Sequence, residues 1–257
     1  MFPTELKILK AHGTQYIRNL KTVELHPLFR GRPELSGEAK PKDINELERL
    51  CPTGAISAAP EFSLDLGRCM FCGECQFCKP QIIRFTNDYN IATNRRENLT
   101  VTASTKAIHF DHKAVRPEIR KLFGSALKLR QVSAGGDNSC EMELNACGNV
   151  NFDMGRFGIE FLASPRHCDG IVVTGPVSQN MSAALQMCYD AVPEPKILIL
   201  AGTEAISGGM FNNSPAIDRS FVEKYTTDLF VPGNPIHPLT FINGLRELLL
   251  ELPLSES

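Results

Sequence analysis

The chain has 257 residues, of which 42% are hydrophobic and 22% charged, and its formal net charge is −2. That is enough apolar material for one or two globular cores, and the near-neutral balance gives no electrostatic case for nucleic acid or an anionic membrane surface. No stretch approaches the roughly 18 apolar residues of a spanning helix, and Met1-Phe2-Pro3-Thr4 lacks the basic flank and apolar run of a signal peptide. Any membrane link is therefore expected to run through partners.

In chain order, residues 1–124 read as an irregular, Pro-punctuated region. Short strands are expected at Ala55–Ser57 and Ile82–Phe85, followed by a basic linker over His112–Lys128. The pattern changes near residue 125. Apolar strands are expected at Leu129–Ser133, Gly158–Ala163, Gly170–Thr174, Lys196–Ala201 and Asp228–Val231. Helices are expected between and after them, over Glu141–Asn151, Ser178–Ala191 and Leu239–Leu252. Buried-type strands alternating with helices predict a three-layer α/β domain with a mostly parallel, flavodoxin-like sheet. The expected division is residues 1–124, an α+β ferredoxin-like domain, and residues 125–257, the α/β domain. Ligands in such sheets sit at the loops leaving the carboxyl ends of the strands.

Nine cysteines could suggest disulfides, but five lie within residues 51–78 at metal-ligand spacing, which favours reduced thiolates in a cytosolic setting. Cys147, Cys168 and Cys188 lie in apolar or helical surroundings and read as core residues. Cys69, Cys72 and Cys75 follow one another at two-residue intervals, and Cys51-Pro52 lies upstream. A [4Fe–4S] cluster takes four thiolates, three of which a C-x-x-C-x-x-C loop can supply and the fourth a Cys-Pro elsewhere. In two-cluster ferredoxins each run gives its fourth cysteine to the other cluster. Here Cys51-Pro52-Thr53-Gly54-Ala55-Ile56 is the tail of a first run whose three other cysteines are absent, the stretch Asp43–Leu50 just upstream containing none. The second run has a shortened tail at Cys78-Lys79-Pro80. Crossed ligation then leaves one complete set: Cys51, Cys69, Cys72 and Cys75. Cys78 either substitutes for a ligand or stays free, and free is favoured. Four thiolates also suit tetrahedral zinc, though successive two-residue intervals and a Cys-Pro favour iron–sulfur.

Phe29-Arg30-Gly31-Arg32-Pro33-Glu34, Cys51–Ile56 and Leu66–Cys75 resemble the polyferredoxin subunit of formate hydrogenlyase and hydrogenase-4 complexes. The second half resembles the small subunit of membrane-bound [NiFe] hydrogenases, related to the B subunit of NADH–quinone oxidoreductase. Its matching stretches are Gly135–Glu143, Arg156–Ile159, Ser164–His167, Val173–Pro176, Ser207–Phe211 and Val231–Pro235. The two resemblances imply a fusion of neighbouring subunits. In the small-subunit family one further cluster sits at the strand ends, and its four ligand positions correspond here to Asp137, Cys140, Glu204 and Asn234. One sulfur with three oxygen or amide donors is a poor match to a soft cluster, so this second centre is expected to be lost. Polar residues filling the vacated site are favoured over a divalent metal on Asp137, Glu204 and Cys140.

Gly135-Gly136 and Gly208-Gly209 read as tight loops rather than phosphate cradles. Glu141, in the first turn of a helix, reads as a favourable dipole partner. The resemblance implies an electron-transfer subunit of a multisubunit, membrane-associated oxidoreductase of the hydrogenase-4, formate hydrogenlyase or complex I type. It would carry one [4Fe–4S] cluster, catalyse nothing alone, and dock a large [NiFe]-hydrogenase-like or complex I-like subunit through the second domain. Its expected location is cytoplasmic, peripheral to the inner face of the cell membrane, with no direct membrane span. Two alternatives remain: a structural or assembly subunit with a broken electron path, and a flavin- or metal-binding redox protein.

Overall fold

The computed structural model describes residues 4–124 and 126–249. An N-terminal helix α1 (Thr4–His12) precedes a stretch without regular structure and the strand β1 (Pro33–Leu35). Helix α2 (Pro41–Leu50) begins with Pro41, has Asp43 in its first turn and Arg49 in its last, and buries Leu47. These charges complement the helix dipole, and proline is tolerated where no amide partner is needed. The helix stops at Cys51, the residue before Pro52, where the helical conformation is disfavoured. Next come β2 (Ile56–Ser57), β3 (Ser63–Asp65), α3 (Glu74–Cys78), β4 (Ile83–Phe85) and β5 (Thr100–Thr102). They form two small antiparallel sheets, β2-β3-β5 and β1-β4. The strands expected around residues 55–57 and 82–85 are therefore present, each one residue shorter.

The expected basic linker over His112–Lys128 is not a linker. It contains the helix α4 (Pro117–Phe123), which buries Ile119 and Phe123 and leaves Arg120 and Lys121 toward the outside. Ahead of it, Arg116 donates from Nε to Asp228 Oδ1 at 3.0 Å and from Nη2 to Oδ2 at 3.1 Å, and the Asp228 carboxylate also accepts the Leu198 amide. The basic residues looked like a solvated tether because the apolar stripe of this amphipathic helix holds only two large side chains.

The second half is built as expected. Strand β6 (Leu127–Ser133) is followed by α5 (Ser139–Ala146), β7 (Ile159–Phe161) and β8 (Gly170–Thr174). Then come α6 (Gln179–Ala191), β9 (Ile197–Ala201), α7 (Thr203–Ser207), α8 (Ser220–Lys224), β10 (Leu229–Val231) and α9 (Pro238–Leu249). All five strands are parallel, in the order β10-β9-β8-β6-β7. Counted from β6 this is the 2-1-3-4-5 order of flavodoxin-like sheets, whose ligand crevice opens where neighbouring connections leave in opposite directions, between β6 and β8. Strands β8 and β9 are buried at every residue, as central strands covered on both faces must be.

Boundaries moved where local signals competed. The helix expected over Glu141–Asn151 stops at Ala146, and the Cys147 amide turns back to Glu143 and Leu144 before Gly148 and Asn149. The helix expected at Leu239–Leu252 starts one residue earlier at Pro238, and its expected end lies outside the described residues. Two apolar clusters form the core, one on each face of the parallel sheet, and both include residues from before and after position 125. Cross-chain hydrogen bonds reinforce this. The Thr240 hydroxyl donates to Tyr89 O at 2.8 Å and Asn243 Nδ2 to Leu20 O at 2.9 Å.

Candidate functional site

Cys51, Cys69, Cys72 and Cys75 line one cavity together with Leu50, Ala55, Ile56, Leu64 and Phe85. Each thiol is brought there by a different local device. Cys51 is the cap of α2, and its sulfur accepts the Ala55 amide at 3.2 Å. Cys69 ends a turn begun at Asp65, whose carbonyl accepts the Cys69 amide at 3.0 Å. Its own sulfur accepts the Phe71 amide at 3.3 Å. Phe71 has φ 55°, in the left-handed region, and Cys75 lies in the first turn of α3. A non-glycine residue held there costs of order 1 kcal/mol or more, and such strain concentrates at ligand clamps. Cys69 and Cys75 are buried and Cys72 is exposed, so the cavity meets solvent on the Cys72 side.

Burial pushes the Cys69 thiol well above the ordinary range, opposed by the Phe71 amide and reinforced by Cys75, Cys51 and Cys72. Burial likewise pushes Cys75 up to about 11, against the Gln76 amide and with repulsion from Cys72 and Cys51. The two buried thiols, Cys69 and Cys75, are held in the neutral form unless a positive centre sits beside them. The donor set therefore fits a cationic cluster core, and amide-to-sulfur bonds of the kind on Cys51 and Cys69 favour the thiolate form. Among the described residues no three His, Cys, Asp or Glu side chains are gathered as a single metal ion requires. A zinc centre would bring the sulfurs to about 3.8 Å from one another, from Zn–S of about 2.3 Å.

Cys78 is the last residue of α3, is exposed, and is absent from the cavity wall. The positions that would carry the first run's missing cysteines lie on α2, where Asp43 and Glu46 both pair with Lys79 at 2.9 Å.

The cavity abuts the carboxyl ends of the parallel strands. The Thr203 hydroxyl, fully buried at the start of α7, lies 2.7 Å from Cys69 O and 3.2 Å from Gly233 O. Sequence reasoning missed this residue, because the partners are 134 positions apart. Asp137, Cys140 and Glu204 come together beside it, close enough to repel one another electrostatically, and Glu141 joins them. Asn234 lies on the adjoining loop and lines a cleft with Arg30, Phe71, Glu143 and His237.

Two of these residues carry roles beyond those expected. Asp137 Oδ1 accepts the Ser139 amide at 2.9 Å and hydroxyl at 2.6 Å, so it stabilises the start of α5, and these bonds hold its carboxyl below the usual range. Glu141 stands in the first turn of α5, as expected of a dipole partner. It is buried, and Oε1 accepts the Thr174 hydroxyl at 2.6 Å. Burial first, then Asp137 and Glu141, push the Glu204 carboxyl up. Burial pushes Cys140 up to about 12. Cys147 and Cys168 are buried as expected, whereas Cys188 is only partly so.

The raised Glu204 sets a sign. A carboxyl whose folded pKa exceeds its unfolded value gives stability below the unfolded value, and that stability is lost as pH rises through the folded one. Glu204→Gln is therefore expected to raise the thermal unfolding midpoint at pH 8. The gap to the unsubstituted chain should close below the ordinary glutamate value of 4.5. Midpoints of both proteins measured from pH 4 to 8 check this.

Known proteins resemble the second half of the chain. The model of the family NADH ubiquinone oxidoreductase, 20 Kd subunit, matches residues 138–248. The probable membrane-bound hydrogenase subunit mbhJ of Pyrococcus furiosus is 32% identical over 128 residues, 50% of this chain and 77% of that protein. The chain belongs to this family. The B subunit of the NADH-quinone oxidoreductase of a Nocardioides species is 41% identical over 110 residues, and the matched part spans 42% of this chain and 59% of that relative. Among solved structures, a chain of the membrane-bound sulfane sulfur reductase, an archaeal respiratory membrane complex, aligns over 51% of this chain and 73% of its own. Its identity is 25% and its TM-score 0.44. Both curated matches cover about half of this chain or less. Among the described residues no helix is long and apolar enough to cross a membrane.

Proposed function

We propose that this chain is an iron–sulfur electron-transfer subunit of a multisubunit, membrane-associated oxidoreductase of the hydrogenase or NADH–quinone type. In this reading residues 1–124 are a ferredoxin-like part, similar to the polyferredoxin subunit of hydrogenase-4-type complexes, fused to a family domain over residues 125–257. The observation that carries it is the convergence of Cys51, Cys69, Cys72 and Cys75 on one cavity, with amides on two of the sulfurs. These four would hold one [4Fe–4S] cluster, and when bound that group supplies one-electron transfer. Cys69 and Cys75 supply its desolvated side, the Ala55 and Phe71 amides temper the charge on the thiolates, and Cys72 marks the side open to a partner.

The family domain would dock a large [NiFe]-hydrogenase-like or complex I-like subunit, and the association with the inner face of the cell membrane would be peripheral. A second reading, a structural subunit with a broken electron path, is favoured by one feature. Asp137, Glu204 and Asn234 occupy three of the four ligand positions that the resemblance assigns to the strand-end cluster.

Anaerobic purification with iron and sulfide analysis tests the first reading. About four of each per chain is expected, about eight would mean that the strand ends also hold a cluster, and none would sink it. A flavin absorption band would favour a different redox protein.

A further inference from the structure

The loop that supplies three of the four thiols is held from outside by a cation. Arg30 lies on the irregular stretch before β1, and its Nε donates to the carbonyl oxygen of Phe71, the left-handed residue between Cys69 and Cys72. Its aliphatic stem packs on Gly73, where a Cβ would sit 3.3 Å from Arg30 Cδ. Gly73 also has φ 86°, so glycine serves both the turn and the close approach of the arginine. Phe71 and Gly73 flank Cys72, the exposed ligand. The guanidinium is therefore bonded to the Phe71–Cys72 peptide without lining the thiol cavity, and an arginine side chain supplies a fixed charge.

We propose that Arg30 is a positioning residue that sets the reduction potential of the group held by Cys51, Cys69, Cys72 and Cys75. The proposal rests on the cluster reading above. One-electron reduction adds a negative charge to the site, so a fixed cation beside the loop favours the reduced state. Its bond to the Phe71 carbonyl keeps that cation in place and polarises the peptide leading into Cys72. Glu74 is the counterweight. It lines the thiol cavity and shares with Arg30 the exposed groove beside Cys72, and its carboxylate disfavours the added electron.

The test is a redox titration, read by electron paramagnetic resonance, of the full chain purified anaerobically with its iron. Arg30→Gln is expected to lower the reduction equilibrium about tenfold, which is about 59 mV for one electron. Arg30→Lys keeps the charge and should stay within threefold of the unsubstituted protein, whereas Glu74→Gln should move the potential in the opposite direction. An unmoved potential in Arg30→Gln at full iron content overturns the proposal and leaves the cluster reading standing. So does an Arg30→Lys value that falls as far as Arg30→Gln. If Arg30→Gln takes up no iron, Arg30→Lys decides by the same criterion. Absence of iron from the unsubstituted chain overturns the cluster reading, and the proposal with it.

Discussion

Cys69→Ser is expected to abolish iron binding, leaving a chain with no visible charge-transfer absorption and no paramagnetic signal on reduction. Serine keeps the volume but replaces a soft sulfur by a hard hydroxyl that does not ionise in this range, and a cluster core prefers thiolate. Cys69 is the ligand for which loss should matter most. It is the most desolvated of the four thiols, it accepts the Phe71 amide at 3.3 Å, and its carbonyl is held by Thr203. A site with three thiolates and a buried hydroxyl has no solvent path to a substitute ligand at that corner. Cys72→Ser lies on the exposed side, where water can complete the site, so partial retention is expected there. Cys78→Ser should leave iron and sulfide unchanged, because Cys78 is exposed and takes no part in the cavity wall. Iron and sulfide analysis of the three variants, purified anaerobically side by side, checks the ordering. Loss of iron in Cys78→Ser with retention in Cys69→Ser would overturn the assignment of ligands.

How much of this was legible in the sequence follows the range of each determinant. The thiol loop was readable because its spacing is set within seven residues, and its Cys-Pro partner is itself a local signature. Strand β8 was placed to the residue, since Ile171–Val173 is a β-branched apolar run, between Gly170 and Thr174, that must be covered on both faces. The helix α4 was missed because four of its seven residues are polar or prolyl, and its two buried anchors find their partners on α9 only in the fold. The burial of Glu141 escapes local reading for the same reason. Its sequence position is the first turn of a helix, yet its environment is decided by Thr174, at the end of a strand 33 residues away. The contact between Thr203 and Cys69, which joins the family domain to the thiol loop, has no local signature at all. Side chains whose role is fixed by neighbours on other elements are those that pattern reading cannot reach.

Gly175→Ala is the second change with a large expected effect, about 2–5 kcal/mol of destabilisation measured by denaturant unfolding. Gly175 follows β8 directly, at the switch point of the sheet, with φ 77°. An added Cβ would lie 2.4 Å from the Gly136 amide nitrogen and 2.9 Å from Gly136 Cα. Both are backbone atoms of the loop after β6, so no side chain can swing aside to relieve the contact. The left-handed conformation alone costs an L-residue about 1–2 kcal/mol. Forcing the two loops apart adds a packing cost of about 1–3 kcal/mol. The damage should also be local in a useful way. Displacing Gly136 displaces Asp137, which starts α5, and separates it from Glu204 in the first turn of α7. The raised Glu204 carboxyl owes part of its shift to Asp137, so the pH-dependent gap between Glu204→Gln and its parent should shrink in the Gly175→Ala background. The thiol cavity stands on different loops, and its iron content should survive wherever the variant still folds. A Gly175→Ala protein of unchanged stability would mean that the two glycine loops do not meet at the strand ends, and the switch-point geometry described here would have to be abandoned.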